Sequence, residues 1–306
     1  MAKPKIIFFI LPNTHLLDLA GPDQVFTEAV GSGADIKVEY CSPVNEIFTS
    51  SHLAIGRLKH FSSVKVSKGD YIFIPGADVH YLMQKRIPDE REAIAWMKDA
   101  YVAGASLCSV CTGAFFLAKT GLLNGKKCTT HWKRTDELQQ RFPGISVTGN
   151  ILFTEDERIF TSAGVAAGID LALYILGKLR DDNFSFKVAR ELVIYMRRQG
   201  HEKQQSVFMN YRNHIHTGVH GVQDYVQENI SKKISLSHLA GIACMSPRNL
   251  SRIFKKETGV TVNNYVTLIR KELLQNLGSN PDLTRKQMAG LCGLKSERQV
   301  IRLLHN

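Results

Sequence analysis

The stretch "CSVCTGAF", residues 108–115, decides how the first two thirds of this chain are read. Two cysteines stand three apart in it, and "CTTH" follows at 128–131. Three chemistries compete for that pattern. Cys108, Cys111, Cys128 and His131 have the ligand spacing of a zinc site. Cys108 and Cys111 alone have the spacing of a redox dithiol. In the third reading Cys111 is a single thiol at the elbow between a strand and a helix. The flanking residues favour the elbow. "ASLCSV" (105–110) is short and apolar, as a buried strand is, and "TGAFFLAKTGLL" (112–123) reads as a helix. Along an extended strand the two sulfurs lie too far apart for an easy disulfide. A strand running straight into a helix also does not wrap four ligands around one ion. At a helix start the thiol is expected to feel the positive end of the dipole, which lowers its pKa and favours thiolate.

Working outward, the same rhythm recurs. "KIIFFIL" (5–11), "IKVEYCS" (36–42) and "YIFIPGA" (71–77) read as further buried strands. Between them lie helix-like stretches at 21–30 and 89–104. Alternating strands and helices imply an α/β domain, a mostly parallel sheet with helices on both faces. Residues 145–164 read as short strands and a turn, and 168–180 and 183–199 as two more helices. The stretch 200–217 is polar and weakly periodic and is expected to be a linker. Its His201, His214 and His216, with His220 just beyond, could in principle bind a metal, but a solvated linker needs no ligands.

Beyond residue 217 the strand signals stop. Leu236, Leu239, Ala240 and Ala243 mark one helix face. Ser246 suits an N-cap and Pro247 the first helical position of a second helix, whose buried stripe would be Leu250, Ile253 and Phe254. Two short helices joined by a tight turn form a helix-turn-helix. Arg248, Asn249, Ser251 and Arg252 would face outward, followed by Lys255 and Lys256. Arginine and asparagine suit base edges, and lysine suits phosphates. The pattern repeats over 282–306, with Met288, Ala289 and Cys292 on one stripe, Val300 and Leu304 on the next, and Glu297, Arg298 and Arg302 outward. Two such units can place two recognition helices in successive major grooves. The charge agrees. Residues 201–306 hold 15 Lys and Arg against 7 Asp and Glu, whereas 1–200 hold 24 against 21, so most of the net +11 sits in the last third. Basic asymmetry of that kind suits a polyanion partner, although a solvated basic surface has the same composition.

No apolar run approaches the roughly 20 residues of a membrane span. "KIIFFILP" has no small-residue cleavage site, so no secretory leader is expected. Six cysteines without a regular framework fit a reducing, cytoplasmic setting.

Residues 218–306 resemble the AraC/XylS DNA-binding domain. The likeness is carried by Leu239–Ala240, Ser246, Leu250, Arg252, Phe254 to Gly259, Tyr265, Arg270 and "MAGLCGL" (288–294). It implies base-reading positions at Arg248, Ser251 and Arg252, and at Glu297, Arg298 and Arg302. The family usually continues into a closing helix with a Ser-Pro-x-x-Tyr segment. Here the chain stops at Asn306 and Leu294 replaces the usual aromatic, so a looser second unit is expected, with most affinity in the first. Residues 1–199 resemble the ThiJ/PfpI superfamily through "LLDLAGPDQVF" (16–26), "FIPGA" (73–77), "SVCTGAFFLAKTGLLNGKKCTTHW" (109–132) and "TSAGVAAGIDLAL" (161–173). They are most similar to its isocyanide hydratase-like branch and to the amidotransferase-like sensor half of GlxA-type AraC regulators. The resemblance makes Cys111 the elbow cysteine and Asp18 the carboxylate that hydrogen-bonds it. It places an anion pocket at the backbone amides near Gly76, Ala77 and Thr112. The protease-like members carry histidine directly after the cysteine; Thr112 stands there, so a Cys-His pair is unsupported, and His131 either assists from a distance or is structural. These expectations combine into a homodimeric regulator that binds double-stranded DNA and a small effector near Cys111, without cofactor or metal. Two alternatives stay open, a Cys111-dependent hydratase or hydrolase and a thiol redox sensor.

Overall fold

The computed structural model describes residues 3–83, 87–194, 200, 206–278 and 283–305. The chain divides into two compact units between residues 204 and 205. The first is built on seven strands: β1 (Lys5–Phe9), β2 (Lys37–Ser42), β3 (Lys59–His60), β4 (Tyr71–Ile74), β5 (Ser106–Val110), β6 (Phe153–Asp156) and β7 (Ile159–Ser162). Their order across the sheet is β6-β7-β5-β4-β1-β2-β3. Every pairing is parallel except the β6–β7 hairpin. This is the mostly parallel, doubly covered sheet that the strand–helix rhythm implies.

Period-2 alternation builds the two cores. Ile6, Phe8 and Ile10 point to one face, while Ile7, Phe9 and Leu11 point to the other. On the first face pack α1 (Leu16–Gly31), α4 (Ala166–Leu179) and α5 (Asp182–Glu191), with Phe8, Phe26 and Phe73 in edge and tilted ring contacts. On the second lie α2 (Glu90–Val102) and α3 (Gly113–Lys119), where Met97, Phe115 and Phe116 are fully buried. Burying one such side chain is worth roughly 1.5–3 kcal/mol, so a sheet lined on both faces carries the stability of this unit. Of the helix expected over 183–199, residues 195–199 lie outside the described residues.

Helix α1 begins five residues earlier than the sequence suggested. His15 is its N-cap and Pro22 lies inside it. Proline there lacks the N–H that would bond the carbonyl of residue 18. The helix tolerates this because Gly21, Pro22, Val25 and Phe26 are all buried in the core. The early start puts Asp18 in the first turn.

Among its described residues the second unit is helical; after a single turn at Val207–Asn210 come α6 (Thr217–Glu228), α7 (Leu236–Ile242), α8 (Pro247–Thr258), α9 (Val262–Leu277), α10 (Arg285–Leu291) and α11 (Glu297–His305). Val222, Leu239, Leu250, Phe254 and Tyr265 form one core, and Leu274, Met288, Ala289, Cys292 and Val300 a second. Helix α9 contributes to both and so joins the two helix-turn-helix units. Caps mark the starts: Ser246 accepts the Asn249 N–H ahead of α8, Thr261 caps α9, and Thr284 with Gln287 forms a capping box at α10. Gly259, at φ 79°, ends α8 in the left-handed conformation. One stripe assignment needs correcting. Leu304 is 39% exposed, and it is Leu303 that packs against the second core beside Val300. The expected linker is also more ordered than its composition suggested. His201 and its neighbours to 205 lie outside the described residues, but Val207, Phe208 and Tyr211 pack against the first core of this unit.

Candidate functional site

Cys111 follows β5 directly and precedes α3, with φ at 56°. A non-glycine residue in that region is strained by about 1–3 kcal/mol and persists only where its surroundings over-determine it. Here they do. Its N–H donates to Ser162 O at 2.9 Å, and its carbonyl accepts the Thr130 hydroxyl at 2.8 Å. Three glycines close around it. A Cβ on Gly76 would fall 2.4 Å from Asp18 Oδ2, one on Gly113 2.1 Å from Ile74 O, and one on Gly164 2.1 Å from Cys111 Cβ. The ends of β1, β4, β5 and β7 converge at this point, the usual position for a site on an open parallel sheet.

Asp18 is 1% exposed. Its Oδ1 accepts the Val165 N–H at 2.6 Å, and its carboxyl is hydrogen-bonded to the Cys111 thiol. Val165 itself sits at φ 51°, ψ −123°, an unusual backbone for a β-branched residue. Burial raises the Asp18 carboxyl above its ordinary value, and the Val165 and Cys111 hydrogen bonds oppose that only in part.

The expectation of a thiolate is not met. Burial pushes the Cys111 thiol well above its ordinary range, and the negative charge of Asp18 pushes it further. The Thr112 N–H, bonded to the sulfur, pulls the other way and loses. The dipole of a seven-residue helix is too small to offset desolvation of a thiol that is 5% exposed.

The expected anion pocket is altered as well. The Thr112 hydroxyl donates to Ala77 O at 2.6 Å and accepts the Ala77 N–H at 3.0 Å, so that amide is occupied. Gly76 serves by having no side chain, which lets Asp18, Cys111 and Thr112 approach one another. The cleft above Cys111 encloses about 430 Å³ and is walled by His15, Leu17, Asp78, His131, Lys133, Arg134 and Val165, with Asp18 and Thr112 at its base. His131 is half-buried, and its ring accepts the Lys133 N–H at 3.3 Å. Burial holds it below the usual histidine value. His15, Asp78, Lys133, Arg134 and Val165 were not singled out from the sequence. The only available signal was their closeness in the chain to Asp18, "FIPGA" and "CTTHW".

Cys108 and Cys128 do not join the site. Cys108 is buried in the core on one face of the sheet and Cys128 in the core on the other. Among the described residues the four-ligand set is not assembled, and Cys108 and Cys111 are free thiols.

In the second unit, Arg248, Ser251 and Arg252 are exposed on α8, and Asn249 is half-buried. Arg252 donates to Asn249 Oδ1 at 3.0 Å, and Ser251 donates to Pro247 O at 2.9 Å. Glu297, Arg298 and Arg302 are exposed on α11. Each unit thus turns its predicted face to solvent while Leu250, Phe254 and Val300 are buried behind it.

The model of the DJ-1/PfpI family matches residues 4–178. The model of bacterial regulatory helix-turn-helix proteins of the AraC family matches residues 226–267. The HTH-type transcriptional regulator GbdR of Pseudomonas aeruginosa is 28% identical over 209 residues, 67% of this chain and 56% of that protein. The chain therefore matches little more than half the length of this curated relative. The isonitrile hydratase of Pseudomonas putida is 30% identical over 177 residues, 57% of this chain and 72% of that one. The crystal structure of a ThiJ/PfpI family protein from Pseudomonas syringae superposes with a TM-score of 0.54 at 26% identity, covering 64% of this chain and 77% of that one. With its elbow cysteine, its doubly covered parallel sheet and a family match over more than half its length, the chain belongs to the DJ-1/PfpI family.

Proposed function

We propose that this chain is a sequence-specific DNA-binding transcription regulator, with residues 1–199 sensing a small metabolite near Cys111 and residues 218–306 binding double-stranded DNA. The observation that carries the reading is the outer face of α8. It presents Arg248, Ser251, Arg252, Lys255 and Lys256 to solvent on a capped helix whose other side is buried. Arginine in that position reads guanine edges, and the lysines hold phosphates. The AraC-family match and the regulator relatives support it. A cleft of about 430 Å³ has room for a metabolite-sized ligand, and a homodimer would double the DNA contacts. Among the described residues no helix is long and apolar enough to cross a membrane, which agrees with work on DNA in the cytoplasm. The test is binding of the full chain to promoter-containing DNA. Arg252→Ala should cost about 1–3 kcal/mol and relax specificity at one position. Arg302→Ala should cost less, because Leu294 replaces the aromatic usual in the second unit, so the first unit is expected to hold the DNA more firmly. The opposite ranking would reverse that assignment.

One observation favours a second reading. The Asp18–Cys111 hydrogen bond, together with the isonitrile hydratase relative, keeps cysteine-dependent hydration of a small substrate chemically open. Turnover that vanishes in Cys111→Ser would establish it. Burial of Cys111, which raises its thiol, does not favour the redox-sensor reading.

A further inference from the structure

The polar side chains on the outer face of α8 are not equally free. Arg252 Nη2 donates to Asn249 Oδ1 at 3.0 Å, and Ser251 Oγ donates to Pro247 O at 2.9 Å. Arg248 is exposed and makes no such bond among the described residues. Asn249 and Arg252 stand three residues apart and so share one face of the helix. Arginine only donates, so the oxygen of the Asn249 amide, not its nitrogen, must face the guanidinium. Asn249 is itself held. Its backbone N–H donates to Ser246 Oγ at 3.3 Å, and it is half-buried where Arg248 and Arg252 are exposed. A fixed acceptor against one edge of a guanidinium restricts how that group turns. Reading adenine makes a different demand on asparagine: Oδ1 and Nδ2 must meet the base edge side by side. With Arg252 against Oδ1, that pair is not presented. Arg252 spends one N–H on Asn249 and keeps the others, enough for the O6 and N7 acceptors of guanine.

We propose that Asn249 is a positioning residue that aims Arg252 at guanine and does not itself read adenine; this rests on the reading of α8 as a DNA-recognition helix. The half-site it selects carries guanine opposite Arg252, with no adenine whose choice depends on Asn249. The bond is exposed, so its worth is that of an ordinary hydrogen bond. Removing it should lower the guanine preference by about two- to tenfold, whereas removing Arg252 should abolish that preference. The cap of α8 takes the Asn249 backbone N–H, so changing the side chain leaves the start of the helix intact.

The full chain tests this by selection from a pool of randomised duplexes, beside Asn249→Ala, Asn249→Asp, Arg252→Ala and the double variant Asn249→Ala with Arg252→Ala. Affinity for the selected half-site and its single-base variants is then measured for each chain. Asn249→Ala should weaken preference at the guanine that Arg252→Ala erases, and at no other position. In the Arg252→Ala background it should change nothing further. Asn249→Asp keeps the acceptor and should keep the guanine preference, while its negative charge lowers affinity for all sequences alike. In the free chain, NMR should show the Arg252 guanidinium turning more slowly than that of Arg248, and Asn249→Ala should remove the difference. The proposal is overturned if Asn249→Ala loses preference at an adenine–thymine pair, if the two losses add in the double variant, if Asn249→Asp loses the guanine preference, or if the Arg252 guanidinium turns as fast as that of Arg248. A parent chain that selects no sequence contradicts the DNA reading itself, and the NMR comparison, made without DNA, separates that failure from failure of the pairing.

Discussion

Replacing Gly164 by alanine puts the architecture of the cleft under the most direct load. Two costs combine at this position. Gly164 holds φ at +88°, a conformation that costs an L-residue about 1–2 kcal/mol. The new Cβ would also lie 2.1 Å from Cys111 Cβ and 2.7 Å from its sulfur. Cys111 cannot step aside, because its backbone is bonded on both sides, so a further overpacking cost of about 1–3 kcal/mol is expected. The total is about 2–5 kcal/mol. For a unit of roughly 200 residues that corresponds to a midpoint about 4–20 °C lower. Both tryptophans, Trp96 and Trp132, lie in the N-terminal unit, so thermal unfolding followed by tryptophan fluorescence reads that unit alone. Gly33→Ala is the control. Gly33 holds φ at +92°, and a Cβ there would meet nothing within 4 Å, so it should show the conformational cost without the clash. Adding Cys111→Gly to Gly164→Ala removes the Cβ and the sulfur but leaves Cys111 Cα 2.8 Å from the new Cβ, so it should recover only part of the packing cost. If Gly164→Ala shifts the midpoint no more than Gly33→Ala does, the close approach of that loop to Cys111 is wrong.

Other outcomes follow from the same geometry. Asp18→Asn removes the charge that raises the Cys111 thiol, so its titration, followed by thiolate absorbance, should move to lower pH; an unchanged or higher value would contradict the pairing. Because burial raises the Asp18 carboxyl in the folded chain, its charge destabilises increasingly as pH rises past the ordinary aspartate value, so Asp18→Asn should compare more favourably with the parent at pH 7 than at pH 3 in denaturant unfolding. Ser246→Ala removes the cap of α8 and should cost about 1 kcal/mol by circular dichroism melting of the helical unit, whereas Ser246→Asn should be nearly neutral.

Much of this was legible in the chain itself. Strands 5–9, 71–74 and 106–110 announce themselves as short apolar runs, because both faces of a parallel sheet are buried. Ser246 and Pro247 mark the start of α8 by local chemistry alone. Cys111 could be placed on its elbow because strand and helix signals abut there. What failed depends on distant neighbours. The start of α1 was hidden because "GP" at 21–22 resembles a helix entry, and only burial against the sheet reveals a proline inside. The protonated thiol follows from Asp18, 93 positions away, and from burial, neither of which a helix-start argument weighs. The same holds for the Ala77 amide. Nothing near it in sequence shows that the Thr112 hydroxyl, 35 residues on, takes it. Leu303 and Leu304 are both apolar, and only the crossing of α11 over its neighbours decides which is covered.

The central claim is that the exposed face of α8 reads DNA sequence. Its most direct test is binding of the full chain, and of Arg248→Ala with Arg252→Ala, to fragments of the source genome at several salt concentrations. The account predicts tight, fragment-selective binding by the parent and loss of that selectivity in the variant, with a salt slope lowered only by the phosphate contacts removed. Binding that is weak, equal for all fragments and set by salt alone would contradict it, as would selectivity that survives the loss of both arginines.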